Sequence, residues 1–233
     1  MKEKLRMSEN INKKKILIVG SESGLAPTII SEIQNRGDDL ITVSRVDDFK
    51  KDAFHYNVDL SNTEESNQFC DSISGEKIDV FLYLAGIFQP KSCIHSDLNI
   101  IEEEMNVNLI SPMVISNHVL VNMIKQGNGT MIFIGSSSSY QGFKNTSTYC
   151  ASKHGILGYA RSIADEVRDK NIKVTCICPG SINTKMSIPL QSQQDPSTFI
   201  DPKEVSKLII SCIYHPPITM WQEEIILKRR RYF

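Results

Sequence analysis

Short apolar runs alternate with amphipathic stretches along most of the chain. Lys15–Gly20 (KILIVG) is an unbroken apolar run closed by glycine, which predicts a buried strand. Leu25–Arg36 places apolar residues at helical spacing and stops at Gly37. Asp39–Ser44 and His55–Val58 predict the second and third strands. Ser61 and Glu64 have capping-box spacing and open a helix to about Ser74. Val80–Leu84 predicts a fourth strand, and Asn99–Gln126 a long helical stretch interrupted near Pro112. The turn Gly127-Asn128-Gly129 leads into a fifth strand, Thr130–Ile134. Ser147–Asp169 is predicted helical, and Lys173–Cys178 is a sixth strand stopped by Pro179-Gly180. Residues 184–200 are polar and read as a loop or lid over a substrate. Asp201 is an N-cap with Pro202 at the first helical position, opening a helix to about Tyr214, and Glu224–Leu227 is a last strand. Apolar strands separated by helices imply a parallel sheet covered on both faces. The expected fold class is α/β: a doubly wound, seven-stranded parallel sheet in one domain over 15–233, behind a flexible tail at 1–14.

The 233 residues suffice for one domain with a large core, and are too few for a cofactor domain plus a separate substrate domain. The hydrophobic share of 40% and charged share of 23% exclude a disordered chain. A net charge of −1 hides asymmetry: six Lys/Arg and two Glu lie in residues 1–15, and Lys228 to Arg231 add four positive charges. An acidic body with basic ends argues against a nucleic-acid-binding face, and the basic end is a candidate contact with a second subunit. The N-terminus has no apolar signal region, and no unbroken apolar run reaches membrane-spanning length. Six cysteines (70, 93, 150, 176, 178, 212) show no metal spacing, and Cys176 and Cys178 share one strand face as buried thiols. The expected setting is cytoplasmic and reducing. The five histidines (55, 95, 118, 154, 215) have no metal spacing, and Trp221 is expected in core or interface packing.

Chemistry begins after the first strand, at Gly20-Ser21-Glu22-Ser23-Gly24-Leu25-Ala26. Gly20 permits a tight turn, Gly24 lets backbone approach a pyrophosphate, and Ala26 lets helix pack on strand. The helix start then offers free N–H groups to phosphate, and Pro27 costs little in the first turn. Such a turn can also be a plain strand–helix connection, and its position after the first strand of an alternating pattern favours a Rossmann-type phosphate site. An acidic residue after the second strand would bind the adenosine ribose 2′-hydroxyl. The chain has Ser44 and Arg45 there, a hydroxyl and a guanidinium that suit a 2′-phosphate. NADP(H) is therefore expected in preference to NAD(H).

Tyr149 and Lys153 lie four apart on a predicted helix, on one face and about 6 Å apart along the axis. A nearby ammonium would stabilise the phenolate and lower its pKa from about 10, fitting Tyr149 to exchange a proton with a carbonyl or alcohol oxygen. Ser136 stands at the C-terminal end of the fifth strand, the edge where open α/β sheets bind ligands, and its hydroxyl could bond the substrate oxygen.

These residues resemble the classical short-chain dehydrogenase/reductase family, from about Lys15 to Leu227. The resemblance rests on the glycine turn, Val58-Asp59-Leu60, Ala85-Gly86, Asn108 in Asn106-Val107-Asn108-Leu109, Ser136, Tyr149-Cys150-Ala151-Ser152-Lys153, and Cys178-Pro179-Gly180 through Thr184. It implies that Tyr149 is the catalytic acid/base and that Lys153 also binds the nicotinamide ribose. Ser136 would orient the carbonyl, and Asn108 would hold a water in a proton relay. Gly20, Ser21, Ser23, Gly24, Leu25, Ser44, Arg45, Asp59, Leu60, Ala85, Gly86, Pro179, Gly180 and Thr184 would line the cofactor, with Asp59 on the adenine. The family's usual Asn-Asn is Tyr83-Leu84 here, which weakens a sheet-bracing contact but not the chemistry. Gly135 and Ser139 exchange the family's usual Ser and Gly, so the pocket wall is expected to differ. The usual Gly-Gly ending is absent.

The resemblance implies hydride transfer between nicotinamide and a ketone or secondary alcohol, in a homodimer or homotetramer. The polar side chains of 184–200 point to a small polar or sugar-like carbonyl substrate. The alternatives are a 3-oxoacyl-[acyl-carrier-protein] reductase-like enzyme and, in another class, a non-catalytic NADP-binding sensor. No metal, nucleic acid or membrane partner is expected.

Overall fold

In the computed structural model, residues 13–46, 54–191, 194–214 and 224–228 are described. Among them, seven strands form one all-parallel sheet in the order β3-β2-β1-β4-β5-β6-β7. The strands are β1 Lys15–Val19, β2 Asp39–Ser44, β3 Phe54–Asn57, β4 Val80–Tyr83, β5 Gly129–Ile134, β6 Ile172–Pro179 and β7 Glu224–Leu227. The reversal of order between β1 and β4 opens a crevice at the C-terminal strand ends, where such sheets bind ligands. The expectations for the 1–14 tail (beyond Lys13 and Lys14), Ser192, Gln193, His215, Trp221 and Arg229–Arg231 lie outside the described residues.

Helices cover both faces. The helices are α1 Ala26–Arg36, α2 Thr63–Ser72, α3 Leu98–Met105, α4 Ser111–Gln126, α5 Ser147–Glu166 and α6 Pro202–Tyr214. Alternate residues of β1 serve opposite cores. Leu17 and Val19 join Phe81, Phe133, Ile115 and Ile156 on one face. Ile16 and Ile18 join Ile29, Ile33, Val205 and Ile209 on the other. This two-sided burial explains the continuous apolar strands. Leu98–Gln126 meets the length and hydropathy of a membrane span, yet Ile115, Val119 and Met123 inside it are packed in the core.

Two local expectations are corrected. The cap of α2 is Asn62, whose side chain accepts the Glu64 N–H, while the Ser61 hydroxyl turns back to Asp59 at 2.8 Å. The interruption of the long helical stretch precedes Pro112: Asn106–Ile110 forms one wide π turn, and Pro112 sits in the first turn of α4, where its lost N–H costs little. The polar segment after β6 contains two short 3-10 turns, Lys185–Leu190 and Pro196–Thr198. Its ends are tied by a bridge between Ile182 and Ile200.

Candidate active site

A cleft of about 670 Å³ runs along the C-terminal strand ends. Its walls hold Gly20, Ser23, Gly24, Leu25, Ser44, Arg45, Asp59, Leu60, Ala85, Gly86, Ser136, Tyr149, Lys153, Pro179, Gly180 and Thr184. The glycine turn and the Tyr-Lys helix therefore open into one space.

The turn fits a dinucleotide. Gly20 has φ +91°, and a Cβ there would lie 2.3 Å from the Ala85 nitrogen, so no side chain is tolerated. A Cβ on Gly24 would come within 2.8 Å of Thr184, so backbone alone faces the cleft at that point. Ser21 differs from expectation: it is not among the lining residues, and its hydroxyl is directed at the Val43 carbonyl. Ser44 lines the cleft but is buried, with its hydroxyl on the Val46 carbonyl, which leaves Arg45 as the exposed cation there. Asp59 accepts both the N–H and the hydroxyl of Ser61, and its own N–H is held by Glu65 at 2.7 Å.

Tyr149 and Lys153 sit one turn apart on α5, with the Lys153 Nζ 5.7 Å from the Tyr149 ring centre. Lys153 is buried and donates to the Ile134 carbonyl at 2.9 Å. Burial lowers its pKa to about 8, against the raising fields of Cys176, Cys178 and Glu104. Burial also pushes the Tyr149 phenol up to about 12, with a hydrogen bond from Ser136 pulling the other way. This corrects the expectation of a lowered tyrosine pKa: burial is the largest influence on the phenol, and it raises the value.

Asn108 does not line the cleft. Its side chain clamps Ile87, accepting the Ile87 N–H and donating to the Ile87 carbonyl, each at 2.9 Å. One helical turn earlier, Glu104 accepts the Gln89 N–H at 2.8 Å. Between these anchors, Phe88 packs edge-on to the Tyr149 ring at 4.9 Å. Asn108 thus fixes the loop whose Phe88 packs on the Tyr149 ring. Glu104 is 1% exposed, and burial raises its carboxyl pKa.

Both departures in the pocket wall are compensated. Tyr83 replaces the weakened brace, its buried hydroxyl donating to the Val107 carbonyl at 2.7 Å. That correction ties β4 to the π turn that carries Asn108. At position 135 a Cβ would lie 2.5 Å from the Cys178 sulfur and 3.0 Å from the Ser139 hydroxyl, so a serine does not fit there beside Ser139. The Ser139 hydroxyl accepts the Ser136 N–H at 3.1 Å. Cys176 and Cys178 are buried beneath this loop, as expected, with sulfurs 3.8 Å apart.

The comparisons with known proteins agree with this geometry. The family profile described as "short chain dehydrogenase" matches residues 14–195. The chain is a short-chain dehydrogenase. As a member of that family it is an oxidoreductase that binds a nicotinamide dinucleotide. It is 30% identical over 187 residues to the 3-oxoacyl-[acyl-carrier-protein] reductase FabG of Buchnera aphidicola subsp. Schizaphis graminum, covering 76% of this chain and 77% of that one. In fold it is similar to a 4-hydroxyisoleucine dehydrogenase complexed with NADH (TM-score 0.82, 22% identity, 93% of this chain and 96% of that one). It is also similar to a variant of ElxO with NADPH bound (TM-score 0.79, 20% identity, 93% and 96%).

Sequence reasoning missed several residues of this dehydrogenase's cleft. Phe88, Phe143, Lys144 and Met186 line it. Phe88 follows the Ala85-Gly86 motif closely enough to have been suspected, whereas Phe143 and Lys144 lie in an irregular loop with no periodic signal. Glu22 also lines the cleft, in the middle of the glycine turn.

Proposed function

We propose that this dehydrogenase transfers hydride between nicotinamide and a ketone or secondary alcohol, with NADP(H) preferred over NAD(H) and a small polar carbonyl compound as substrate. The observation that carries the reading is the convergence of Ser136, Tyr149 and Lys153 on one cleft with the glycine turn. When bound, the nicotinamide supplies the hydride. Tyr149 gives its phenolic proton to the carbonyl oxygen, and Ser136 holds that oxygen through its hydroxyl. Lys153 keeps positive charge beside the phenol while the proton leaves. Phe88, fixed by Asn108 and Glu104, sets the ring of Tyr149, and Asn108 belongs to the path that returns a proton from water.

Arg45 supports the NADP(H) preference, since an exposed guanidinium suits a phosphate. Lys144 and Lys185 line the cleft together with Lys153 and favour a polar or anionic substrate. Part of the lid's polarity is internal: Ser187 bonds the Thr184 carbonyl, and Gln194 accepts from Ser181. Phe88, Phe143, Met186 and Leu190 add apolar wall, which favours a second reading, an acyl thioester like that named for the Buchnera relative. Exposed Val121 and Ile124 on α4 are surface that a homodimer or homotetramer would cover. The free thiols suit the cytoplasm.

Titration with NADPH and NADH, followed by a carbonyl panel read at the reduced cofactor's absorbance, tests the reading. Tyr149→Phe should lower turnover at least about a thousandfold, with cofactor affinity within about twofold of wild type. Full activity in that variant would overturn it.

A further inference from the structure

Glu22 lines the cleft where the glycine turn meets the end of β2. Glu22 is the third residue of the glycine turn, and its Oε1 accepts the backbone N–H of Arg45 at 2.8 Å. This bond carries a carboxylate from the first strand-helix turn across to the residue that follows β2. Doubly wound dinucleotide folds place at the end of that strand the acidic side chain that accepts the ribose 2′-hydroxyl. Here the strand ends in Ser44, which is 3% exposed and has its hydroxyl on Val46.

We propose that Glu22 supplies the carboxylate missing from the end of β2. It is a specificity-determining residue that holds the adenosine ribose of NAD(H) and limits the preference for NADP(H) that Arg45 creates. The inference rests on the proposed binding of a nicotinamide dinucleotide in this cleft, and it adds a second determinant of opposite sign.

The chemistry follows from the two groups. An ionised carboxylate only accepts hydrogen bonds, and its two oxygens offer about four acceptor sites. One is used by the Arg45 N–H, which leaves capacity for a ribose hydroxyl. A 2′-phosphate in the same place meets a like charge and has no proton to give the carboxylate. The Arg45 guanidinium does the reverse: it attracts the phosphate and gains little from a neutral diol. Glu22 and Arg45 are joined through side chain and backbone, so each sets where the other stands. Both are exposed, and water weakens the effect of each charge. The expected discrimination is therefore about tenfold rather than thousands.

The test measures dissociation constants for NADPH and NADH by fluorescence, in wild type, Glu22→Gln and Glu22→Asp. Glu22→Gln should raise the NADPH-to-NADH affinity ratio about tenfold, and the gain should shrink as salt rises from 0.05 to 0.5 M, on the order of the Debye screening expected for exposed charges. Glu22→Asp, which keeps the charge, should stay within about threefold of wild type. An unchanged ratio in Glu22→Gln, with both cofactors still bound, overturns the role of Glu22 and leaves the proposed function standing. Equal weakening of both cofactors also overturns it, because the residue would then only shape the turn. Wild-type protein that binds neither cofactor overturns the proposed function and this inference with it.

Discussion

The space beside Gly135 is filled by sulfur and oxygen. Cys178, Cys176 and Ser139 all stand within 3.0 Å of where a side chain on Gly135 would begin. Gly135 and Ser139 are therefore one exchange: the hydroxyl needed near the Ser136 backbone comes from the next turn. Gly135→Ser alone should destabilise the protein by about 1–3 kcal/mol through overpacking. Gly135→Ser with Ser139→Gly should recover part of that loss. Urea denaturation of the two singles and the double gives the coupling, and strict additivity would contradict the exchange. The sequence displayed both departures but not their connection, because spatial adjacency across a loop leaves no periodic trace. Tyr149, Lys153, Ser136 and the glycines were legible because their spacing is tied to helix and strand geometry. The orientations of Ser21, Ser44 and Asn108 were not, since each side chain chose a nearby backbone partner over the cleft.

At the scale of elements, β4 and the π turn are joined by the Tyr83–Val107 hydrogen bond. The π turn places Val107 and Asn108 inward, and Asn108 then fixes the loop after β4. Tyr83→Phe removes the donor and leaves a buried carbonyl unpaired. It should cost about 1–3 kcal/mol in stability and lower kcat several-fold while leaving cofactor affinity nearly unchanged. Denaturation and steady-state kinetics check the two parts separately. The central strands β1, β4, β5 and β6 are legible because two-sided burial writes an apolar run, whereas the edge strand Phe54–Asn57 is part-exposed and shows a weaker signal. In the sequence the π turn shows only as an interruption near Pro112, since its extra residue shifts the helical phase and proline is the more familiar cause of a break.

For the whole molecule, the buried Lys153 links stability to pH. Its folded pKa of about 8 lies below its ordinary value of 10.5, so above pH 8 the unfolded chain binds more protons than the folded one. Its contribution to stability therefore rises with pH between about 8 and 10.5, and is constant below 8, where both states are charged. The full swing is roughly 3 kcal/mol. Lys153→Met should be inactive, more stable than wild type at pH 7, and closer to it at pH 9.5. Urea unfolding at the two pH values measures this, and a gap that widens with pH would contradict it. The folded protein thus carries an electrostatic cost on the wall of its cleft, where the proposed chemistry uses the charge.

The parallel bridge between Ile182 and Ile200 has a consequence for how the protein can change. It closes the proposed substrate lid into a ring fastened at its neck: Asn183 N–H donates to the Ile200 carbonyl, and Ile200 N–H donates to the Ser181 carbonyl, both at 2.9 Å. Once a neck is fastened, lengthening the ring raises its closure cost only logarithmically, about 0.6 kcal/mol per doubling. Residues inside it can be exchanged or inserted while the sheet beneath keeps its register. The segment is an interchangeable cassette, through which new substrates could be recruited by descendants of this chain with the hydride chemistry left untouched.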